Sequence, residues 1–176
     1  MVKKPDIDCF CIFSYIYEIN TILPMTIEIR KALESEISTL LHFEKGIIEA
    51  ERPFDSTLKE GDIHYYDLIE LIKNENAEVL VAVVDNEIVG SGYAKILTAK
   101  PYHKHSEYAY LGFMYVKPAF RGRGINQRIL QELIDWAKTK NLKEVRLEVY
   151  DENNIAKNSY LKAGFKPSLL EMRKEI

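Results

Sequence analysis

Gly122 and Gly124 stand one residue apart, flanked by Arg121 and Arg123, directly ahead of a run with helical periodicity. Glycine has no Cβ, so backbone N–H groups on such a loop can turn toward one point, and the first amides of the following helix have no internal partners. The helix dipole and two guanidinium donors then favour an anion, and Arg121-Gly122-Arg123-Gly124-Ile125-Asn126 reads as a phosphate-holding loop. The bland alternative is a tight strand-to-helix turn with solvated arginines. Two other phosphate motifs are excluded: the dinucleotide fingerprint needs glycine where Gln127 stands, and no Gly-Lys-Ser/Thr follows to complete a Walker pattern.

Periodicity supplies the elements around this loop. Residues 26–30 alternate as a short strand, and 34–51 form a helix with Ile37, Leu40, Leu41 and Ile48 near one face, ended by Pro53. A loop rich in turn formers (Pro53, Asp55, Ser56, Gly61) leads to helical spacing over 65–73. Residues 78–84 and 87–97 predict a hairpin around Asp85-Asn86, and 108–116 a third strong strand. Residues 123–140 form a long amphipathic helix through Ile125, Ile129, Leu130, Leu133, Ile134 and Ala137. Residues 144–150 alternate as a strand, 153–163 form a helix closed by Gly164, and 169–173 are a candidate last strand. Hairpins followed by a strand–helix–strand–helix unit predict an α/β (α+β) fold whose mixed sheet is antiparallel early with a crossover late.

A chain of 176 residues with 47% hydrophobic and 29% charged content fits one soluble globular domain. A formal net charge of -3 gives no overall positive field, which argues against nucleic acid or an anionic membrane as partner. Cys9 and Cys11 match neither a zinc spacing nor a disulfide framework, pointing to a reducing compartment. The apolar stretch 9–19 follows Lys3 and Lys4, but Asp6 and Asp8 break a secretory pattern, no cleavage site follows, and no run is long enough to span a bilayer. The expected location is cytoplasmic. Residues 1–24 read as an N-terminal extension, with Met25 as a candidate true start and 25–176 as the domain; an additional strand or ordered tail is the alternative.

The loop resembles the central signature of the GNAT acetyltransferase superfamily, Arg/Gln-x-x-Gly-x-Gly/Ala at a strand-to-helix junction, with Asn126 where the family prefers a small residue. A second family element, Asn-x-x-Ala-x-x-x-Tyr-x-x-x-Gly-Phe, is matched by Asn153, Ala156, Tyr160, Gly164 and Phe165. The likeness runs from about Thr26 to the carboxyl terminus. It implies a GNAT-like mixed, mostly antiparallel central sheet flanked by about four helices, with a splayed strand pair forming an acetyl-CoA cleft. It also implies an N-acetyltransferase that moves an acetyl group from acetyl-CoA to a primary amine by direct attack in a ternary complex, without a metal.

The resemblance further assigns roles. Arg121, Gly122, Arg123, Gly124, Ile125 and Asn126 would hold the diphosphate, with the Asn126 side chain either crowding it or donating to it. Backbone groups around Met114 and Val116 would bind the pantetheine arm like an added strand, and the Met114 N–H would polarise the thioester carbonyl. Asn153 would meet a pantetheine amide, with a helix cap from Asp151 or Asn153 as the plainer role, and Lys157 would face either a phosphate or solvent. Tyr160 would be the general acid to the CoA thiolate, its alternative being packing against Ala156 and Ala163. The glutamate that some members carry eleven residues before the signature falls on Tyr110, which leaves the base open among a water chain, Tyr110, Glu107, Tyr108 and Glu148.

In the family the acceptor enters beside the first two helices. The acids there, Glu49, Glu51, Asp55, Glu60, Asp62, Asp67 and Glu70, outnumber Arg52 and Lys59, which favours a cationic amine: a polyamine, an aminoglycoside, an amino-acid derivative or a lysine side chain. A solvated face is the alternative. Tyr65 and Tyr66, with His64 and Tyr110, are candidate acceptor contacts, though aromatics at such spacing often belong to a core. His103 and His105 lack a third ligand. The partner expected is a small-molecule or peptide amine, and a homodimer is compatible with the sequence. The rival function is a non-catalytic acyl-CoA-binding module, marked by Asn126 and the absent glutamate.

Overall fold

The run Ala77-Glu-Val-Leu-Val-Ala-Val-Val84 is apolar at nearly every position because both faces of its strand are covered. The computed structural model describes residues 26–176; the expectations for residues 1–24, for Cys9 and Cys11, and for Met25 as the opening residue lie outside the described residues. Along β2 (Ala77–Val84), Val79, Val81 and Val83 pack on Leu40, Phe43 and Ile47 of α1 (Ile37–Glu51) and on Leu68 and Leu71 of α2 (Leu68–Lys73). The alternate residues Leu80, Ala82 and Val84 join Ile125, Ile129, Leu130 and Leu133 of α3 (Ile125–Thr139) on the opposite face.

The sheet runs in chain order: β1 (Glu28–Lys31), β2, β3 (Glu87–Thr98), β4 (Glu107–Val116) and β5 (Val145–Leu147). The first three pairings are antiparallel, and β5 returns parallel to β4 after the α3 crossover. With α4 (Asn154–Lys162), four α-helices among the described residues flank a mostly antiparallel sheet, as the resemblance implies. The β2–β3 turn is Asp85-Asn86, whose φ values of 49° and 64° suit the tight polar turn expected there. Among the described residues no helix is long and apolar enough to cross a membrane.

Several boundaries differ, each for a local reason. The long helix starts at Ile125 rather than residue 123, because Gly124 is left-handed at φ 77°. The second helix starts at Leu68 rather than residue 65, since the Tyr65 and Tyr66 amides donate to the buried Glu44 carboxylate and Asp67 caps the helix by accepting from the Glu70 N–H. The α1 core face uses Phe43 and Ile47, while Leu41 is exposed. The strand expected over 144–150 is confined to Val145–Leu147, and no strand forms over 169–173. Leu169, Leu170 and Met172 are exposed, and Arg173 instead reaches the Asp55 carboxylate at 3.0 Å.

Candidate active site

The glycine loop ends β4's path into α3. Gly122 and Gly124 have φ of 75° and 77°, and a Cβ at either would meet no atom within 4 Å, so the space above the loop is open. Gly124 is the N-cap of α3 and supplies no side-chain cap, so the first amides of a long helix are left to an outside acceptor. Both flanking arginines are exposed: Arg121 Nε donates to the Val116 carbonyl at 3.0 Å, and the Arg123 guanidinium lies 5.4 Å from the Phe120 ring centroid. The Asn126 side chain turns away toward α4, where its Nδ2 donates to Ser159 Oγ at 3.1 Å, and Gln127 Nε2 donates to the Ser159 carbonyl at 2.9 Å. Those two bonds tie the helix that follows the loop to α4.

β4 and β5 pair at three positions, Ala109 with Val145, Tyr110 with Arg146 and Leu111 with Leu147, and then part. β4 continues to Val116, so Gly112 to Val116 form an edge without a β5 partner. A bulge begins that edge: Gly92 of β3 stands against both Phe113 and Met114, and Phe113 takes φ 57°. The Phe113 carbonyl accepts from the buried Ser91 hydroxyl at 3.1 Å, and its N–H donates to Tyr66 Oη at 3.3 Å. A Cβ on Gly92 would lie 2.7 Å from Met114 Sδ, so glycine makes room for the methionine that follows the bulge. Met114 and Val116 are half-buried against the core beneath α3.

On α4, Asn153 Oδ1 caps the helix by accepting from the Ala156 N–H at 3.1 Å, a bond that leaves its Nδ2 donors unused. Lys157 Nζ donates to the Asp151 carboxylate at 2.6 Å and to the Asp151 carbonyl at 2.8 Å. Tyr160 packs beside Ala163 and Phe165, its ring 6.1 Å from that of Phe165. Burial first, and the Glu51 charge second, push its phenol up to about 12, so the proton stays on oxygen at physiological pH.

The tyrosines named for the acceptor face lie together. Tyr66 meets Tyr65, Tyr93 and Phe113 edge-on, with centroids at 5.9, 5.5 and 5.5 Å. Tyr110 donates to Glu148 Oε2 at 3.2 Å, so a carboxylate from beyond β5 pairs with the position where the resemblance implies a glutamate in some members. Burial raises the Tyr66 and Tyr110 phenols well above the ordinary value. Glu107 opens β4 at the end remote from Met114, and the Tyr108 ring carries the Arg146 guanidinium at 4.0 Å. Of the loop acids, Asp55 accepts from Thr57, Tyr150 and Arg173 and is held far below the usual carboxylate range, first by Thr57; Asp67 caps α2 and Glu70 pairs with Lys95.

Three contributors escape sequence reasoning. Glu44 is 1% exposed and clamps His64 Nδ1 at 2.7 Å along with two amides, but in sequence it is one more charge on an amphipathic helix. Ser91 sits inside an apolar strand with no local mark of its bond to Phe113. Glu51 ends α1 half-buried, and burial pushes its carboxyl up, whereas the sequence shows it only as one acid among seven.

The acetyltransferase (GNAT) family model matches residues 45–165. A spermidine N(1)-acetyltransferase of Thermoplasma acidophilum is 28% identical over 152 residues, covering 81% of this chain and 89% of the relative. A mutant Bacillus halodurans protein superposes with a TM-score of 0.77 at 20% identity, over 85% of this chain and 99% of that one. A predicted acetyltransferase from Clostridium acetobutylicum, solved with acetyl-CoA, superposes with a TM-score of 0.69 at 23% identity, over 84% and 96% of the two chains. The two superpositions establish the fold, and the family match, which spans most of the chain and contains the glycine loop, β4 and α4, establishes that the chain belongs to the GNAT acetyltransferase family.

Proposed function

We propose that the chain transfers the acetyl group of acetyl-CoA to the primary amine of a small cationic acceptor, by direct attack with both substrates bound. The observation that carries this reading is an unpaired strand edge followed, along the chain, by an uncapped helix end. The edge of β4 from Gly112 to Val116 has no β5 partner, and it leads into the α3 N-terminus, where Gly124 provides no side-chain cap. An extended, amide-bearing arm that ends in a diphosphate matches that succession: strand-like pairing along the edge, then an anion at the helix end.

On this reading Gly122 to Asn126 hold the diphosphate through main-chain N–H groups, with Arg121 and Arg123 adding charge at the rim. The N–H of Met114 polarises the thioester carbonyl, and Asn153 meets an amide of the arm with the nitrogen its cap leaves unused. Tyr160 protonates the departing thiolate; its buried phenol keeps that proton available across the working pH range. The acidic loop between α1 and α2 supports a cationic acceptor, and a relative named for spermidine makes polyamines the first class to try.

The experiment is incubation of the full chain with acetyl-CoA and, separately, spermidine, an aminoglycoside and a lysine peptide, following free thiol. Amine-dependent thiol release is the expected result. Tight CoA binding without release for any amine would leave a non-catalytic binding module in its place.

A further inference from the structure

We propose that Glu51 is the general base that takes the proton from the acceptor ammonium, with the Tyr65 hydroxyl as the second polar group at the same spot. The assignment rests on the acetyl-transfer reading above and supplies the group that reading lacks.

The placement of Glu51 follows from how α1 ends. Glu51 is the last residue of α1, and the chain turns at once through Arg52–Phe54. Phe54 stacks on Tyr150 at 6.1 Å and Asp55 Oδ2 accepts from Tyr150 Oη at 3.0 Å, which fastens the end of α1 to the chain just past β5. That is where β5 has left β4. From the other side Tyr66 touches the β4 bulge through the Phe113 N–H, and Tyr65 lies beside it. The Glu51 charge bears on the phenols of Tyr65, Tyr66, Tyr150 and Tyr160, which come from three separate segments, and Asp55 bears on Glu51 in turn. Glu51 therefore lies within electrostatic reach of all three segments.

A second observation concerns the Tyr65 hydroxyl, which is buried and, alone among the buried side-chain polar atoms of the described residues, makes no hydrogen bond of good geometry. Burial first, and then the Glu51 charge and a loose hydrogen bond to that carboxylate, raise its phenol, so Glu51 is the group beside it. A buried hydroxyl held only loosely is costly, and an acceptor nitrogen beside Glu51 would complete its bonding. Chemistry also separates Glu51 from the other acids. Asp55 is held far below the ordinary carboxylate range, first by Thr57, and takes no proton near neutrality. Glu148 is exposed and engaged by Tyr110, and Glu107 lies at the remote end of β4. Glu51 is half-buried with its carboxyl pushed up by desolvation, which makes it the stronger base.

The step balances as follows. The Glu51 carboxylate accepts one proton from the acceptor ammonium, freeing the nitrogen lone pair, which forms the C–N bond to the acetyl carbon as the C–S bond breaks. The thiolate takes the Tyr160 proton, the nitrogen's surplus proton restores Tyr160, and Glu51 releases its proton to solvent.

The test compares spermidine with 1-aminooxy-3-aminopropane, whose aminooxy nitrogen is already unprotonated at neutral pH. Glu51→Gln should lower kcat/KM for spermidine at least about 100-fold but for aminooxy acetylation by less than about fivefold, leaving the KM for acetyl-CoA unchanged. Glu51→Asp, which keeps a carboxylate, should stay within about tenfold of wild type on spermidine. Equal losses on both acceptors, or an undiminished spermidine rate in Glu51→Gln, would overturn the assignment. Wild type that acetylates no amine at all would instead contradict the transfer reading and remove this role with it.

Discussion

The Ser91 hydroxyl on β3 donates to the Phe113 carbonyl at 3.1 Å, in a fully buried setting, and so closes the bulge that presents Met114. A bulge leaves main-chain groups outside the ladder, and here side chains take both: Ser91 the carbonyl, Tyr66 the N–H. Ser91→Ala should therefore lower unfolding free energy by about 1–3 kcal/mol, because a buried carbonyl loses its partner. Urea denaturation reads that loss, and an unchanged midpoint would show that the bulge holds without the hydroxyl.

Gly124 allows stability and binding to be separated. A Cβ there meets open space, so Gly124→Ala should cost only the left-handed backbone, about 1 kcal/mol. Gly124→Glu bears the same backbone cost, yet a carboxylate at a helix N-terminus is favourable to the helix. The glutamate variant should be no less stable than the alanine one while losing at least tenfold more CoA affinity, by about 1.4 kcal/mol or more. Calorimetry on both variants checks this; equal CoA affinities would mean that no anion sits at that helix end.

Glu44 fixes the Tyr65–Tyr66 aromatic cluster to α1. Its buried carboxylate accepts from His64 Nδ1 at 2.7 Å and from the Tyr65 and Tyr66 amides at 2.7 and 2.9 Å. Glu44→Ala should destabilise the protein by about 1–3 kcal/mol, since two part-buried amides lose their acceptor. It should also raise the acceptor KM more than the KM for acetyl-CoA, a split that steady-state kinetics reads directly.

The same contact has a pH signature. The hydrogen bond to Glu44, and then its charge, raise the His64 pKa above the ordinary value of 6.5. A group whose folded pKa is raised contributes stability that is full below the unfolded value and lost as pH rises through the folded one. The difference in Tm between wild type and His64→Ala should thus be larger at about pH 5.5 than at about pH 8.5. A difference that grows with pH would contradict the pairing.

Tyr160→Phe keeps the ring against Phe165 and Ala163 and removes only the hydroxyl. The expected result is a kcat reduced about 100-fold or more with CoA affinity intact. An unchanged kcat would leave Tyr160 as packing alone.

What is legible in the sequence is what is local. Gly122 and Gly124 before a 3.6-residue periodicity announce the loop and α3, and Asp85-Asn86 between valine-rich runs announces the hairpin. The β4 bulge is not legible, because a phenylalanine at φ 57° is held by Ser91 and Tyr66, which lie 22 and 47 residues away. The early end of β5 likewise comes from its departure from β4, and alternation continues in the sequence past the last paired residue. The missing strand over 169–173 has the same origin: its apolar residues suggest pairing, but in the fold Arg173 is drawn to Asp55. Glu51 and Glu44 look alike in sequence and differ only in what the folded chain places beside them.

On the proposed reading an acetyl group leaves CoA in this cleft and arrives on an amine nitrogen. The most direct measurement uses acetyl-CoA labelled in the acetyl group, with spermidine as acceptor and mass detection of both products. The expected result is one labelled acetyl on the amine for each thiol released. Label recovered only as free acetate, or retained in intact acetyl-CoA bound to the protein, would contradict it.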